Sequence, residues 1–399
     1  MQKLIVVFLA LFFCFAAVSA AADEYERGAD GEIEVPFIEP VWRQEGDGGA
    51  ASDDEPAQED VPLPAALTSG IVTYGEDGSI FITITACGDV TIGRNVKSSG
   101  KSIFQKELEK QNNDINFIFR NVRGIFENDS LTIVNFEGVL AENYSIPSRK
   151  QNNDFLFLAP VSYASVLPDN GVEMAAIENN HIGDFGEAGT QSTRDALDQA
   201  GVLWADSTHA ASYEIAGIRV ILFAYQTLNQ PYTSDELAVM VREEIARVRE
   251  DYDLVVVYYH WGDELDYTPK DNQVKLGRAT VDAGADLVLG SHSHRINPIE
   301  CYQGKYIVYS LANCSFAGNN KPSDMYTFIF QNRFRFKNGK ILQSSFRIIP
   351  CRISSRRDYN DFAITPLTEQ TNIDTVINTM KQAGKKLTYA VESYPLDWE

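Results

Sequence analysis

The sequence predicts an α/β layered fold, and three observations carry that expectation. Short β-branched runs recur along the chain, helix-like stretches separate them, and five of the strand-like runs end in polar clusters. Residues 80–85 (Ile-Phe-Ile-Thr-Ile-Thr) are β-branched and alternating, and 131–134 (Leu-Thr-Ile-Val) read the same way. Residues 174–177, 254–259 and 287–289 are short continuous apolar runs of the buried-strand kind. Helical patterns fall at 102–126, 187–199, 234–250 and 272–283, the second and fourth closed by Gly201 and Gly284. Ser234 ahead of Leu237 and Thr190 ahead of Asp195 supply capping chemistry. A further strand is expected at 346–349 and a terminal helix at 372–383, and no internal repeat is visible.

The ends of the chain differ from its middle. Met1-Gln2-Lys3 is a short basic start, Leu4 to Val18 is an almost unbroken apolar run, and Val18-Ser19-Ala20 supplies small residues for cleavage. That is the shape of a secretory signal over 1–20, which implies an exported protein at the cell surface or beyond it. The run is shorter than the roughly 20 residues that span a bilayer, and no basic stop-transfer cluster follows, so a cleaved signal is expected over an anchor. Cys14 lacks the small residues that precede a lipidated cysteine. Residues 21–78 read as an acidic disordered spacer: Asp23 to Asp60 holds fourteen Asp and Glu against Arg27 and Arg43. The folded domain is expected at 79–350, with 351–399 as an extension packed on the core.

The 399 residues can bury a large core in one big domain or two ordinary ones. The net charge of −22 argues against nucleic acid as a partner, because neutralising phosphates takes clustered Lys and Arg. Beyond the signal, Cys87, Cys301, Cys314 and Cys351 allow three pairings, and spacing does not choose among them or against free buried thiols.

The polar clusters carry the chemistry. Cys87-Gly88-Asp89 follows the first strand, with Arg94 beyond it; Asn135-Phe136-Glu137-Gly138 follows the second. The third runs into Asn179-Asn180-His181 and Asp184, the fourth into His260-Trp261-Gly262 with Glu264, and the fifth into Gly290-Ser291-His292-Ser293-His294. Ligand sites in α/β sheets gather beyond strand ends, so five such clusters predict one shared pocket. A lone histidine is commonly a satisfied core or surface residue. Here four of the five (His181, His260, His292 and His294) fall in these clusters, and His209 reads as a surface residue. Histidine and carboxylate together suit divalent Zn, Mn or Fe. His292 and His294, two apart, would share a face of an extended segment.

Taken in order, 88–94, 134–138, 178–184, 260–264, 290–294 and 309–313 resemble the bacterial capsule-synthesis CapA/PgsA (poly-γ-glutamate capsule) family, itself similar to the calcineurin-like metallophosphoesterases. The resemblance covers about 80–318 and implies a two-sheet β-sandwich flanked by helices, with up to two metal ions at the strand ends. It implies Asp89 and Glu137 as carboxylate ligands, Glu137 in the bridging place, with Asn180, His260 and His292 on one metal and His294 on the other. It implies His181 as general acid oriented by Asp184, and Arg94, Asn135, Glu264 and Asn313 as substrate-facing residues. Two departures stand out: Thr91 occupies the position where phosphoesterases carry a histidine after Asp89, and Ala312-Asn313-Cys314 replaces the usual Gly-Asn-Phe. The second brings a thiol near the pocket beside Cys87, where a Cys87–Cys314 contact is conceivable.

Two function classes follow. One is a metal-dependent hydrolase of phosphoester type acting on an envelope polymer or a small anionic substrate. The other is a non-catalytic extracellular subunit that binds or guides an acidic polymer, in a membrane-bound capsule synthesis complex. A purely structural metal domain fits less well, since structural sites favour closed Cys/His sets.

Overall fold

The computed structural model describes residues 70–398. The expected signal at 1–20 and most of the acidic spacer lie outside them. In chain order the principal strands are β1 (Ile80–Thr91), β2 (Leu131–Phe136), β3 (Met174–Ala176), β4 (Leu203–Ala205), β5 (Ala211–Ile215), β6 (Ile218–Gln226) and β7 (Leu254–His260). There follow β8 (Leu287–Ser291), β9 (Ile299–Tyr302), β10 (Lys305–Val308), β11 (Asn313–Phe316), β12 (Tyr326–Lys337) and β13 (Lys340–Arg352). The helices are α1 (Ile103–Lys110), α2 (Gly186–Ala200), α3 (Ser234–Val248), α4 (Asp271–Asp282) and α5 (Gln370–Ala383).

Two large sheets form. One runs β13-β12-β1-β2-β3-β4, with β11 also pairing β1; the other runs β9-β10-β8-β7-β6-β5. The strands β1 to β4 pair in parallel, as do β6, β7, β8 and β10. The period-two alternation decides what each face covers. Ile82, Ile84 and Ala86 of β1, Leu131 and Ile133 of β2, Leu222 and Ala224 of β6, and Val256 and Tyr258 of β7 share one apolar cluster, the interior between the sheets. The opposite faces are apolar too. Val255, Val257 and Tyr259 pack under Leu237, Val241 and Ile245 of α3 and Leu276 of α4. Cys87, Val90, Val134 and Phe136 pack under Phe104 of α1 and Leu197 of α2. Strands buried on both faces read as continuous apolar runs, which is why β7 and β8 are so legible. The sandwich flanked by helices that the resemblance implied is the architecture present.

Several boundaries differ from the sequence expectation. The helix expected over 102–126 stops at Lys110, because Asn112 and Asn113 both take left-handed φ of 56° and 60°; a 3-10 turn at Ile115–Ile118 and a single turn at Arg123–Phe126 replace it. Thr233, not Ser234, caps α3, accepting from the Glu236 N–H. Thr190 lies inside α2, its hydroxyl donating to the Ile182 and Gly186 carbonyls. The strand expected at 346–349 is one stretch of the much longer β13. Thr73–Tyr74 already pairs with Ile80 and Phe81, so ordered backbone begins within the stretch assigned to the spacer. Residues beyond 351 lie on the core: Val376, Met380 and Tyr394 join the cluster between the sheets. Among the described residues no helix is long and apolar enough to cross a membrane.

Candidate metal centre

The C-terminal ends of β1, β2, β3, β7 and β8 converge, and close backbone approach makes that convergence geometric. A Cβ on Gly88 would stand 1.8 Å from the Ala312 carbonyl oxygen, so only glycine lets β11 lie against the bulge that carries Asp89. The Asp89 N–H donates to that same carbonyl at 3.0 Å. Gly290 has the same role in β8, where a Cβ would meet the Trp261 indole nitrogen and the Tyr309 carbonyl, each at 2.4 Å. Beside this point Cys87 and Cys314 are joined as a disulfide, while Cys301 and Cys351 are free thiols.

The ligand atoms fall into two sets that share one residue. Glu137, His260 and His292 offer atoms within 4.8 Å of one another, and so do Asp89, Glu137 and His294. Asn180 Oδ1 lies 2.7 Å from His260 Nε2, beside the first set. Asn313 Oδ1 lies 2.9 Å from His294 Nδ1, beside the second. His292 and His294 do not share a face of an extended segment as expected. Both hold left-handed φ, 97° and 52°, and this turn sends one side chain to each set. The Thr91 hydroxyl donates to Glu137 Oε2 at 3.0 Å, orienting the shared carboxylate.

The buried charges show what the site lacks. Burial and the charge of Asp89 push the Glu137 carboxyl up to about 7. Burial also acts against ionised Asp89, but the His294 hydrogen bond and the His260 and His294 charges bring it down to about 2. Burial pushes His260 well below the usual histidine range, and burial with the charge of His294 brings His292 down to about 4. His260 and His292 are therefore neutral, the state in which an imidazole can ligate. Burial opposes protonation of His294 as well, yet Glu137 and Asp89 hold it up to about 9. Glu137 Oε1 is buried with no hydrogen-bond donor among the described residues, 3.6 Å from His260 Nε2 and 4.0 Å from His181 Nε2. A buried carboxylate oxygen facing ligating nitrogens, in a mixed Asp/Glu/His/Asn set, is what a divalent cation would complete. The residues present fit such a group.

Around this pair the expected roles separate. Asp184 is fully buried and accepts from His181 Nδ1 at 2.8 Å, the Lys150 ammonium at 2.9 Å and the Phe157 N–H at 3.0 Å. The other imidazole nitrogen, Nε2, is thereby aimed at Glu137. Asn135 was expected to face substrate, but it is buried under the ligands. Its amide donates to Asp89 Oδ1 at 2.8 Å and stands 3.3 Å from His260 Nδ1. Arg94, also expected to meet an anion, lies in a two-residue strand, and its guanidinium donates to the Tyr144 hydroxyl. It is absent from the lining of the cleft.

That cleft holds about 680 Å³ and opens onto Asn180, His181, His294 and Asn313, with Glu264 on its wall. His209 is exposed, against the Trp204 ring and carbonyl. Sequence reasoning missed two residues. Asn179 accepts from the His181 and Ile182 N–H groups and donates to the Phe136 carbonyl, fixing the loop that presents Asn180 and His181. The position of Asn179 within the same cluster was its only signal. Arg295 lines the cleft directly after His294.

Comparison with known proteins places the chain among capsule-synthesis relatives. Over 255 residues the chain is 27% identical to "Capsule biosynthesis protein CapA" of Bacillus anthracis, covering 59% of this chain and 60% of that protein. It is 29% identical over 268 residues to "PGA biosynthesis protein CapA" of Bacillus subtilis (strain 168), covering 63% and 67%. The match thus spans about three fifths of the B. anthracis protein's length. Among solved structures it is similar to one described as a novel phosphatase from Mycoplasma pneumoniae, with a TM-score of 0.40 and 12% identity, over 68% of this chain and 94% of that one. Residues 83–317, more than half of the chain and nearly all of the site described above, match the family described as "Bacterial capsule synthesis protein PGA_cap", and the chain belongs to that family.

Proposed function

We propose that this protein is an exported, metal-dependent hydrolase of phosphoester type that acts in the synthesis of a capsule, poly-γ-glutamate or another envelope polymer. One observation supports it above the rest: His181 is held by Asp184 so that its other ring nitrogen faces Oε1 of the shared Glu137 carboxylate, the oxygen that has no donor among the described residues. A purely structural metal site has no use for an oriented histidine at its mouth. Glu137, His260, His292 and Asn180 would hold one cation, and Asp89, Glu137 and His294 the other. When bound, such ions lower the pKa of a water molecule and offset charge that builds up in the transition state.

The chain's own residues do the rest. Asn135 and Thr91 orient Asp89 and Glu137 from beneath. Asp184 keeps the His181 proton on Nδ1 and stabilises the imidazolium, so Nε2 can give a proton to a leaving oxygen in the cleft. Lys150 balances Asp184 and bonds the Asn180 carbonyl, which couples the histidine's support to the neighbouring loop. The names of the Bacillus relatives support the link to capsule formation, and the apolar start at Leu4 to Val18 supports export; an envelope polymer or a membrane-bound synthesis complex is the partner this reading proposes.

Metal analysis of the purified protein, with turnover of bis(p-nitrophenyl) phosphate and a γ-glutamate polymer before and after chelation, tests this. Stoichiometric Mn, Zn or Fe with chelator-sensitive hydrolysis is expected. Polymer binding without any turnover would instead favour a guiding subunit.

A further inference from the structure

Arg295 is only 6% exposed, yet it lines the cleft beside His294 and Asn313. Its Nη1 donates to the His294 carbonyl at 2.8 Å and its Nη2 to the Ser323 hydroxyl at 2.6 Å. The Tyr267 ring lies 5.7 Å from the guanidinium, and the Tyr267 hydroxyl meets the Arg295 side chain while donating to Asp324 Oδ2 at 2.7 Å. Among the described residues no carboxylate is within ion-pairing distance of Arg295. Other arginines here are balanced: Arg194 by Asp206, Arg249 by Asp286 and Arg278 by Glu300. Withdrawing a guanidinium from water is costly unless it is paired, and Asp324 reaches this one only through the Tyr267 hydroxyl, so an anionic group in the cleft would be its first direct counter-charge. The fork geometry with donors to spare suits a carboxylate or a phosphate oxygen pair.

The walls limit what else that ligand carries. They present Asn152, Asn153 and Asn319 as neutral hydrogen-bonding groups, and Asp154 and Glu264 as exposed carboxylates. Phe155 is 59% exposed at the rim and stacks toward Phe157, whose ring meets His181. Arg295 and His294 thus face the two wall carboxylates across the cleft.

Building on the metal-site reading of the preceding section, we infer that Arg295 is a specificity-determining residue: it holds one anionic group of the ligand, carboxylate or phosphate, beside the metal ligands.

Calorimetry on the full chain, metal-free and Mn-loaded, would use two probes, γ-glutamyl-glutamate for a carboxylate and inorganic phosphate for a phosphate. In Arg295→Gln, affinity for at least one probe should fall about tenfold or more in the metal-free protein, with Mn stoichiometry unchanged. Arg295→Lys should recover part of the loss. Ser323→Asp leaves the arginine in place and puts a carboxylate against Nη2, so it should abolish the same binding without emptying a buried position. Which probe responds identifies the anion. Binding of both probes within twofold of wild type in Arg295→Gln and Ser323→Asp would overturn the inference, even if bis(p-nitrophenyl) phosphate is hydrolysed. Loss of probe binding in a protein that hydrolyses nothing would uphold Arg295 and sink the hydrolase reading instead.

Discussion

The Thr91 hydroxyl donates to Glu137 Oε2 at 3.0 Å, while Glu137 Oε1 has no donor among the described residues and faces the histidines. Thr91 would thus act on a bound metal through the carboxylate that both sets share. Thr91→Val removes the hydroxyl with little change in volume. Outer-shell hydrogen bonds of this kind are worth about 10- to 100-fold in metal affinity. Titrating Mn into metal-free protein should show a loss of about tenfold, and an unchanged isotherm would leave Thr91 with no part in holding metal.

His181 and Asp184 should separate binding from chemistry. His181→Ala is expected to lower turnover of bis(p-nitrophenyl) phosphate by about 10²- to 10⁴-fold while the bound metal remains. Glu137→Ala, which takes a ligand from both sets, should lose metal and turnover together. Equal metal loss in both variants would make His181 a ligand and remove the acid from the mechanism.

Much of this site is legible in the chain because β-branched strands buried on both faces are conspicuous and their polar ends follow at once. His260, for example, comes directly after Val255 to Tyr259. Side-chain direction is a different matter. Asn135 lies two residues before Glu137 in the same cluster, but the pleat and the bulge at Gly88 send it under the ligands, where it meets Asp89. Arg295 takes its place from the left-handed turn at His294, which no periodicity foretells. The hairpin of β12 and β13 hides its strands behind Gln331, Asn332 and Arg333, although its Asn338-Gly339 turn, with φ of 52° and 69°, is the usual hairpin signal. Asn112 and Asn113 break a helix across which the apolar spacing continues, because residues on both sides still pack on one core.

The Cys87–Cys314 disulfide ties β1 to β11 two residues from Asp89 and next to Asn313. Both cysteines are fully buried, so the bond should resist reductant until the fold opens. Replacing both with alanine is expected to cost about 2–4 kcal/mol in urea unfolding, since the bridge closes a very long loop of the unfolded chain. Mn affinity should fall as well, because Asp89 would lose its fixed distance from Asn313. Stability equal to that of wild type would show that the cysteines do not staple the sheet.

Away from the metal, Glu173 gives the fold a pH dependence of its own. Its carboxylate accepts from the Thr132 N–H at 2.8 Å, at the start of β2, and burial pushes its pKa from 4.5 up to about 7. The folded state therefore holds a proton that the unfolded chain releases between those values. The resulting stability is fully present below about 4.5 and is lost as the pH rises through about 7. Glu173→Gln keeps an acceptor for Thr132 and removes the ionisation. Urea midpoints of variant and wild type should coincide near pH 4.5, and at pH 8 the variant should be the more stable by about 1–3 kcal/mol. Buried Asp129 feels the Glu173 charge, which raises its own pKa further, so the difference reads Glu173 together with its effect on Asp129. A constant gap across the range would mean that this carboxyl is ionised throughout and that the Thr132 hydrogen bond outweighs its burial.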